Sequence, residues 1–231
     1  MIGVFDYTVW LTYLSMISAV LGIIVSLQQS GHPYIGVFFL LFCGLCDAFD
    51  GKVARTKKNR TDFEKKFGVQ IDSLSDLVAF GVLPACIGNA MIRVCPTISE
   101  IPSIHRDERL TFPAVIILYA IIILYALAAL IRLAYFNVTE EERQKVENEG
   151  RKYFTGLPVT SAALIFPTVL LFQYLIPRDI TLVYFGVMFL TAFLFVSKIQ
   201  VKKPGIRGIL MMVAIGVIEF IILVFTLGGN R

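Results

Sequence analysis

The chain has 231 residues, 57% of them apolar and only 16% charged, with a net charge of +4 and a mean hydropathy of +0.76. A soluble domain carries about 25% charged residues; here 20 of the 38 charges crowd into residues 50–66 and 132–152, leaving too few to clothe a globular surface. That excludes a soluble domain, a disordered chain and a disulfide scaffold, and defines an all-α polytopic transmembrane bundle.

Apolar runs predict spans near residues 8–28, 34–55, 70–92, 111–136, 155–176, 179–197 and 206–227. The N-terminal MIGVFDYTVW has no basic region and no small-residue cleavage site, so the first run is expected to be retained. His32-Pro33 punctuates the first hairpin, and Ile176-Pro177-Arg178-Asp179 marks a tight turn between the fifth and sixth spans. Lys52, Arg55, Lys57, Lys58, Arg60, Lys65 and Lys66 follow the second span. Arg132, Arg143, Lys145, Arg151 and Lys152 follow the fourth, and Lys198, Lys202, Lys203 and Arg207 the sixth. These alternate loops share one face, which the positive-inside rule makes cytoplasmic, with the N-terminus inside and the C-terminus outside. Cys43 and Cys46 form C-x-x-C within an apolar run; with Cys86 and Cys95 they are expected to be packing residues.

Four aspartates stand at the cytoplasmic ends of the second and third spans. Asp47 and Asp50 are three apart, and Asp72 and Asp76 four apart, so each pair shares a helix face. An Asp near hydrocarbon costs about 2.5–3.5 kcal/mol and needs a partner. The basic elbow between the spans brings the pairs face to face, and four carboxylates so placed call for cations between them. Mg²⁺ or Mn²⁺ suits such oxygen donors, and two ions about 4 Å apart would clamp a phosphoryl group. Gly51, Ala54 and Gly68 leave room for a bulky nucleotide beside the helix backbones, and Arg55 offers a cation to its phosphates.

Together these residues spell Asp47-x2-Asp50-Gly51-x2-Ala54-Arg55, twelve further residues, then Gly68-x3-Asp72-x3-Asp76. The pattern resembles the signature of the CDP-alcohol phosphotransferase family at all eight positions, with a gap at the long end of the family's range. FGVQIDSLSDLVAFGVLPA (67–85), IRLAYFN (131–137), YFTGLPVTSAA (153–163) and VSKIQV (196–201) resemble its phosphatidylserine synthase branch. One departure is N-terminal: Thr8 and Val9 stand where many members carry Pro-Asn before a Thr, here Thr12.

The resemblance implies one integral-membrane domain over residues 1–231, with six core spans, about one additional C-terminal span and a homodimeric assembly. It implies transfer of the phosphatidyl group of CDP-diacylglycerol to L-serine, with CMP released, at a site facing the cytoplasm. Asp47, Asp50, Asp72 and Asp76 would hold the two ions, and Asp76 would also accept the hydroxyl proton. Gly51, Ala54, Arg55, Gly68 and Thr12 would contact the CDP group. Arg132, Asn137 and Lys198 are candidates for binding serine, with snorkelling anchors as the competing assignment. Membrane lipid is an implied partner and nucleic acid is not.

Sister transferases using glycerol phosphate, inositol phosphate or an archaetidyl donor share the signature. A divalent-cation transporter also places carboxylates in the membrane, but this quartet lies near one face, without paired broken helices or inverted repeats. Transfer through a His nucleophile lacks its H-x-K motif, since neither His32 nor His105 begins one.

Overall fold

The computed structural model describes residues 2–28, 33–94, 108–146, 153–175, 179–202 and 206–229. His32, Cys95, His105, Arg106, Arg151, Lys152, Lys203, Arg231 and the predicted turn at 176–178 lie outside the described residues. Among the described residues, seven helical rods account for the seven apolar runs. The first two are α1 (Trp10–Leu27) and α2 (Pro33–Ala54). The third is continuous through α3 (Asp62–Asp76), a π-helical turn (Leu77–Val82) and α4 (Leu83–Val94). Then come α5 (Glu108–Val146), α6 (Ala162–Leu175), α7 (Thr181–Val196) and α8 (Ile206–Gly229).

Trp10–Leu27, Pro33–Ala54, Asp62–Val94 and Val115–Arg143 are long and apolar enough to cross a membrane. Val159–Phe172, Thr181–Val196 and Leu210–Ile222 are shorter apolar helices. Leu182, Val183, Phe189, Leu190 and Phe193 of α7 all point outward, an apolar surface that suits lipid rather than water. Inside, Tyr125, Phe166, Tyr184 and Phe195 are fully buried, with tilted and edge-on ring contacts.

The third rod departs from its hydropathy-based limits, 70–92. Thr61 caps α3: its hydroxyl accepts from the Glu64 N–H at 3.2 Å, and the Glu64 carboxylate accepts from the Thr61 N–H at 2.8 Å. This capping box starts the helix within a polar stretch that an apolar-run criterion passes over. Further on, Pro84 has no N–H to offer the Phe80 carbonyl four residues earlier. The Tyr125 hydroxyl donates to that carbonyl at 2.6 Å, and the Tyr184 hydroxyl donates to the Pro84 carbonyl at 2.9 Å. The wide turn directly after Asp76 is thereby held by two buried tyrosines.

Helix α5 runs 39 residues, about 58 Å at 1.5 Å per residue. Residues 137–146, beyond the predicted end of the fourth span, continue the helix, and Arg143 pairs with Glu140 at 2.6 Å. Cys43 and Cys46 are buried and unbridged, and the Cys43 thiol lies 3.3 Å from the Ser15 carbonyl, as packing residues should. Glu219, buried on α8, is hydrogen-bonded to the Thr168 hydroxyl of α6 and ties the last helix to the bundle.

One small sheet amends the all-helical expectation. Strand β1 (Tyr153–Thr155) pairs antiparallel with β2 (Gln200–Lys202), Phe154 opposite Val201. The pairing joins the segments after the fourth and sixth spans, so two of the basic loops meet at one end of the bundle. Gly156 turns out of β1 at φ +79°, and its N–H donates to the Ile199 carbonyl at 2.7 Å. A Cβ there would lie 2.7 Å from the Phe195 carbonyl oxygen and 3.0 Å from that of Ser197. Gly156→Ala should therefore lower stability by about 2 kcal/mol, combining left-handed strain with a backbone clash. Thermal unfolding in detergent would show it, and an unchanged midpoint would contradict this geometry.

Candidate active site

Helices α2 and α3 pack beside α1 so that their polar ends meet where the elbow joins them. One carboxylate oxygen from each of Asp47, Asp50 and Asp72 lies within 4.8 Å of the others. Asp50 and Asp72 are close enough for a hydrogen bond between their carboxyls, and the Gly51 N–H donates to Asp50. Asp76, one turn beyond Asp72, lies outside that tight trio but within electrostatic reach of all three. None of the four forms an ion pair among the described residues. Close carboxylates with no protein cation between them fit a divalent ion, and all-oxygen donors suit a hard one. The residues present therefore fit the implied metal.

The expected nucleotide-side residues surround this cluster unevenly. Gly51 and Arg55 are exposed at the end of α2, where a Cβ on Gly51 would meet only the Arg55 guanidinium, at 3.7 Å. Thr12 is buried on α1, and its carbonyl accepts the Ser75 hydroxyl at 3.2 Å, which locks α1 to α3 between Asp72 and Asp76. Ala54 is half-buried, and Gly68 lies under the Arg60 side chain.

The candidates for acceptor binding fall into different environments. Asn137 on α5 accepts the Ser73 hydroxyl at 3.0 Å, beside Asp72 in sequence. Arg132 is buried: its Nε donates to the Leu157 carbonyl at 3.2 Å, and its guanidinium lies 5.5 Å from the Phe136 ring centre. Lys198 is exposed in the link between α7 and β2. The Gly156 turn lies beside two of these parts: a Cβ there would meet the Ser197 carbonyl oxygen at 3.0 Å and the Arg132 Nε at 3.2 Å.

Asp6, Tyr13 and Glu64, which the sequence did not single out, also build this end of the molecule. Lys57 bridges Asp6 at 2.6 Å and Glu64 at 2.7 Å, strapping the N-terminal segment across the elbow. The Thr8 N–H donates to Asp6 at 2.9 Å, and the Tyr13 hydroxyl donates to the Val4 carbonyl at 2.7 Å. Asp6 and Thr8 thus shape the turn into α1, where Val9 provides no side-chain cap. The Thr61-x-x-Glu64 spacing was the available sequence signal for this elbow; the partnership with Asp6, 51 residues away, left none.

The Lys57 ammonium, and after it the Thr8 hydroxyl, hold the Asp6 carboxyl down at about 2. Bonds to Asp6 and Glu64 raise Lys57 above its ordinary value. An unfolded Asp titrates near about 3.9, so the strap's contribution is complete above that value and is lost as the pH falls through about 2. At the alkaline end, the Lys57 contribution is lost as the pH rises through its raised value. Wild type should melt above Asp6→Asn near neutrality, with the gap closing toward the acid limit. A gap independent of pH would contradict the strap.

The apolar rods and the carboxylate cluster at one end of them define an integral membrane protein with an acid-lined site. The chain belongs to the CDP-alcohol phosphatidyltransferase family, whose model matches residues 7–227. It is 34% identical over 143 residues to a CDP-diacylglycerol–serine O-phosphatidyltransferase of Saccharomyces cerevisiae, covering 61% of this chain and 43% of that protein. A Helicobacter pylori protein of the same name is 29% identical over 150 residues, covering 64% and 51%. An archaetidylserine synthase of Methanothermobacter thermautotrophicus is 31% identical over 152 residues, covering 65% and 53%. The chain thus spans about half the length of these curated relatives. Membership of a transferase family removes the support for a cation transporter.

Proposed function

We propose that the protein transfers the phosphatidyl group of CDP-diacylglycerol to the hydroxyl of L-serine, releasing CMP, as a single-domain enzyme. The convergence of Asp47, Asp50 and Asp72 at one end of an apolar bundle carries this reading, within a family whose serine-using members resemble the chain. Asp47, Asp50, Asp72 and Asp76 hold two divalent ions, Mg²⁺ or Mn²⁺. When bound, these neutralise the phosphate oxygens and make phosphorus more electrophilic.

Gly51, Ala54, Gly68 and Thr12 border the CDP group, and Arg55 meets its phosphates. Arg132 or Lys198 meets the serine carboxylate, and Asn137, anchored to Ser73, completes the acceptor side. Asp76 takes the hydroxyl proton. The serine oxygen bonds to the β-phosphorus while the bond from that phosphorus to the CMP oxygen breaks, and CMP leaves with the electron pair. Residues 47–76 contain no histidine or cysteine that would favour a covalent intermediate. The clustering of basic loops supports a cytoplasmic site, and the family resemblance supports a homodimer.

The archaeal relative favours a second reading, in which the donor carries archaetidyl rather than diacylglyceryl chains. Purified protein should be given CDP-diacylglycerol or its archaeol counterpart, with L-serine, glycerol 3-phosphate and inositol phosphate competing at equal concentration. Serine should dominate the lipid product with the diacylglyceryl donor. Faster use of a phosphorylated alcohol would overturn the acceptor, and preference for the archaeol donor would select the second reading.

A further inference from the structure

The twelve residues between Arg55 and Gly68 contain a cation whose surroundings differ from those of its neighbours. Lys57 is committed to Asp6 and Glu64. Lys65 pairs with Asp62 at 3.6 Å. Arg60 instead folds back across α3. Its Nη2 donates to the Glu64 carbonyl at 3.1 Å, while its Nε is buried without a hydrogen-bond partner. The nearby acids are engaged elsewhere, since Glu64 accepts from Lys57 and from the Thr61 N–H. Among the described residues no carboxylate pairs with this guanidinium.

Its position is fixed by Gly68, where a Cβ would lie 2.7 Å from Nη2. Gly68 is one turn before Asp72, about 6 Å along the helix axis. A planar donor group with an unused, buried N–H therefore lies on the face of α3 that leads to the carboxylate cluster. Guanidinium groups pair with phosphate oxygens through parallel N–H bonds, and a buried N–H left without an acceptor is unfavourable.

We infer that Arg60 binds the diphosphate of the nucleotide-linked donor, its guanidinium crossing Gly68 to reach phosphate oxygens that the aspartate end of the site holds from the other side. This rests on the proposed donor and adds a residue outside the eight signature positions. The long elbow returns Arg60 to the helix face, and the glycine gives its guanidinium room. Arg55 and Arg60 then approach the diphosphate from opposite ends of the elbow.

The test compares wild type with Arg60→Ala, Arg60→Gln and Arg60→Lys in full-length protein, following CMP release from CDP-diacylglycerol at saturating serine and inhibition by soluble CDP. Loss of a charged, bidentate contact should raise both the donor KM and the CDP inhibition constant about tenfold or more in the Ala and Gln variants. The serine KM should change less than about twofold, and Lys should recover part of the loss. If Ala fails to fold, Gln decides, because it keeps a donor for the Glu64 carbonyl. An unchanged CDP inhibition constant in a folded variant would overturn the assignment. So would a defect confined to the response to anionic lipid in the micelle, which would make Arg60 a headgroup anchor. Failure of wild type to release CMP would count against the donor itself; release of CMP with CDP affinity independent of Arg60 would count against Arg60 alone.

Discussion

Asp72→Asn should lower the rate of CMP release more than about 10²-fold while leaving the protein folded, because it removes one of the three converging carboxylates. Asn keeps the shape and one oxygen but not the charge that retains a divalent ion. Asp47→Asn should behave in the same way. A factor of 10² corresponds to about 2.7 kcal/mol of transition-state stabilisation, a modest share of what a metal clamp supplies. Stripping wild type with a chelator should abolish turnover, and Mg²⁺ or Mn²⁺ should restore it. Turnover that survives chelation, or an Asp72→Asn variant with near-normal rate, would show that the cluster is not the metal site. The polar face of α3 is anchored from both sides, by Ser75 to the Thr12 carbonyl and by Ser73 to Asn137, so a one-atom change should not unfold it.

Asp76→Asn should cost about 10²–10⁴-fold in transfer, the range for loss of a general base. Its place outside the tight trio separates its expected behaviour from that of Asp72. CDP should still inhibit the residual activity, with some loss of affinity, and the Asp47, Asp50 and Asp72 trio should still retain a divalent ion, although the share of ion binding that Asp76 supplies is lost. The loss should fall more on kcat than on the donor KM. If Asp76→Asn instead abolishes ion binding as fully as Asp72→Asn does, Asp76 is a ligand first and the proton must leave by another route. The π-helical turn that begins at Leu77 makes the position of Asp76 sensitive to Tyr125, whose hydroxyl satisfies the Phe80 carbonyl that Pro84 leaves free.

Hydropathy and spacing carried much of this architecture because both act locally along a helix. Uninterrupted apolar runs located the rods, and i,i+3 and i,i+4 spacing put each Asp pair on one face before any packing was considered. Features that depend on contacts between distant segments left weaker traces. Strands β1 and β2 have three residues each, too short for a two-residue period to declare itself, and the resemblance of 153–163 and 196–201 to family segments does not pair them. The π-helical turn follows from one proline and two tyrosines on other helices. The Asp6–Lys57–Glu64 strap and the fold-back of Arg60 over Gly68 depend on how the elbow closes. Within a run of basic residues, sequence does not separate the lysine that bridges two acids from the arginine that faces the site.

The most direct measurement follows labelled L-serine into chloroform-soluble lipid alongside CMP, using purified wild type and Asp72→Asn with CDP-diacylglycerol and Mn²⁺. Wild type should yield equal amounts of serine lipid and CMP and no CMP without an acceptor, and the variant should lose both products. CMP released without serine lipid, or serine lipid formed as well by Asp72→Asn as by wild type, would contradict it.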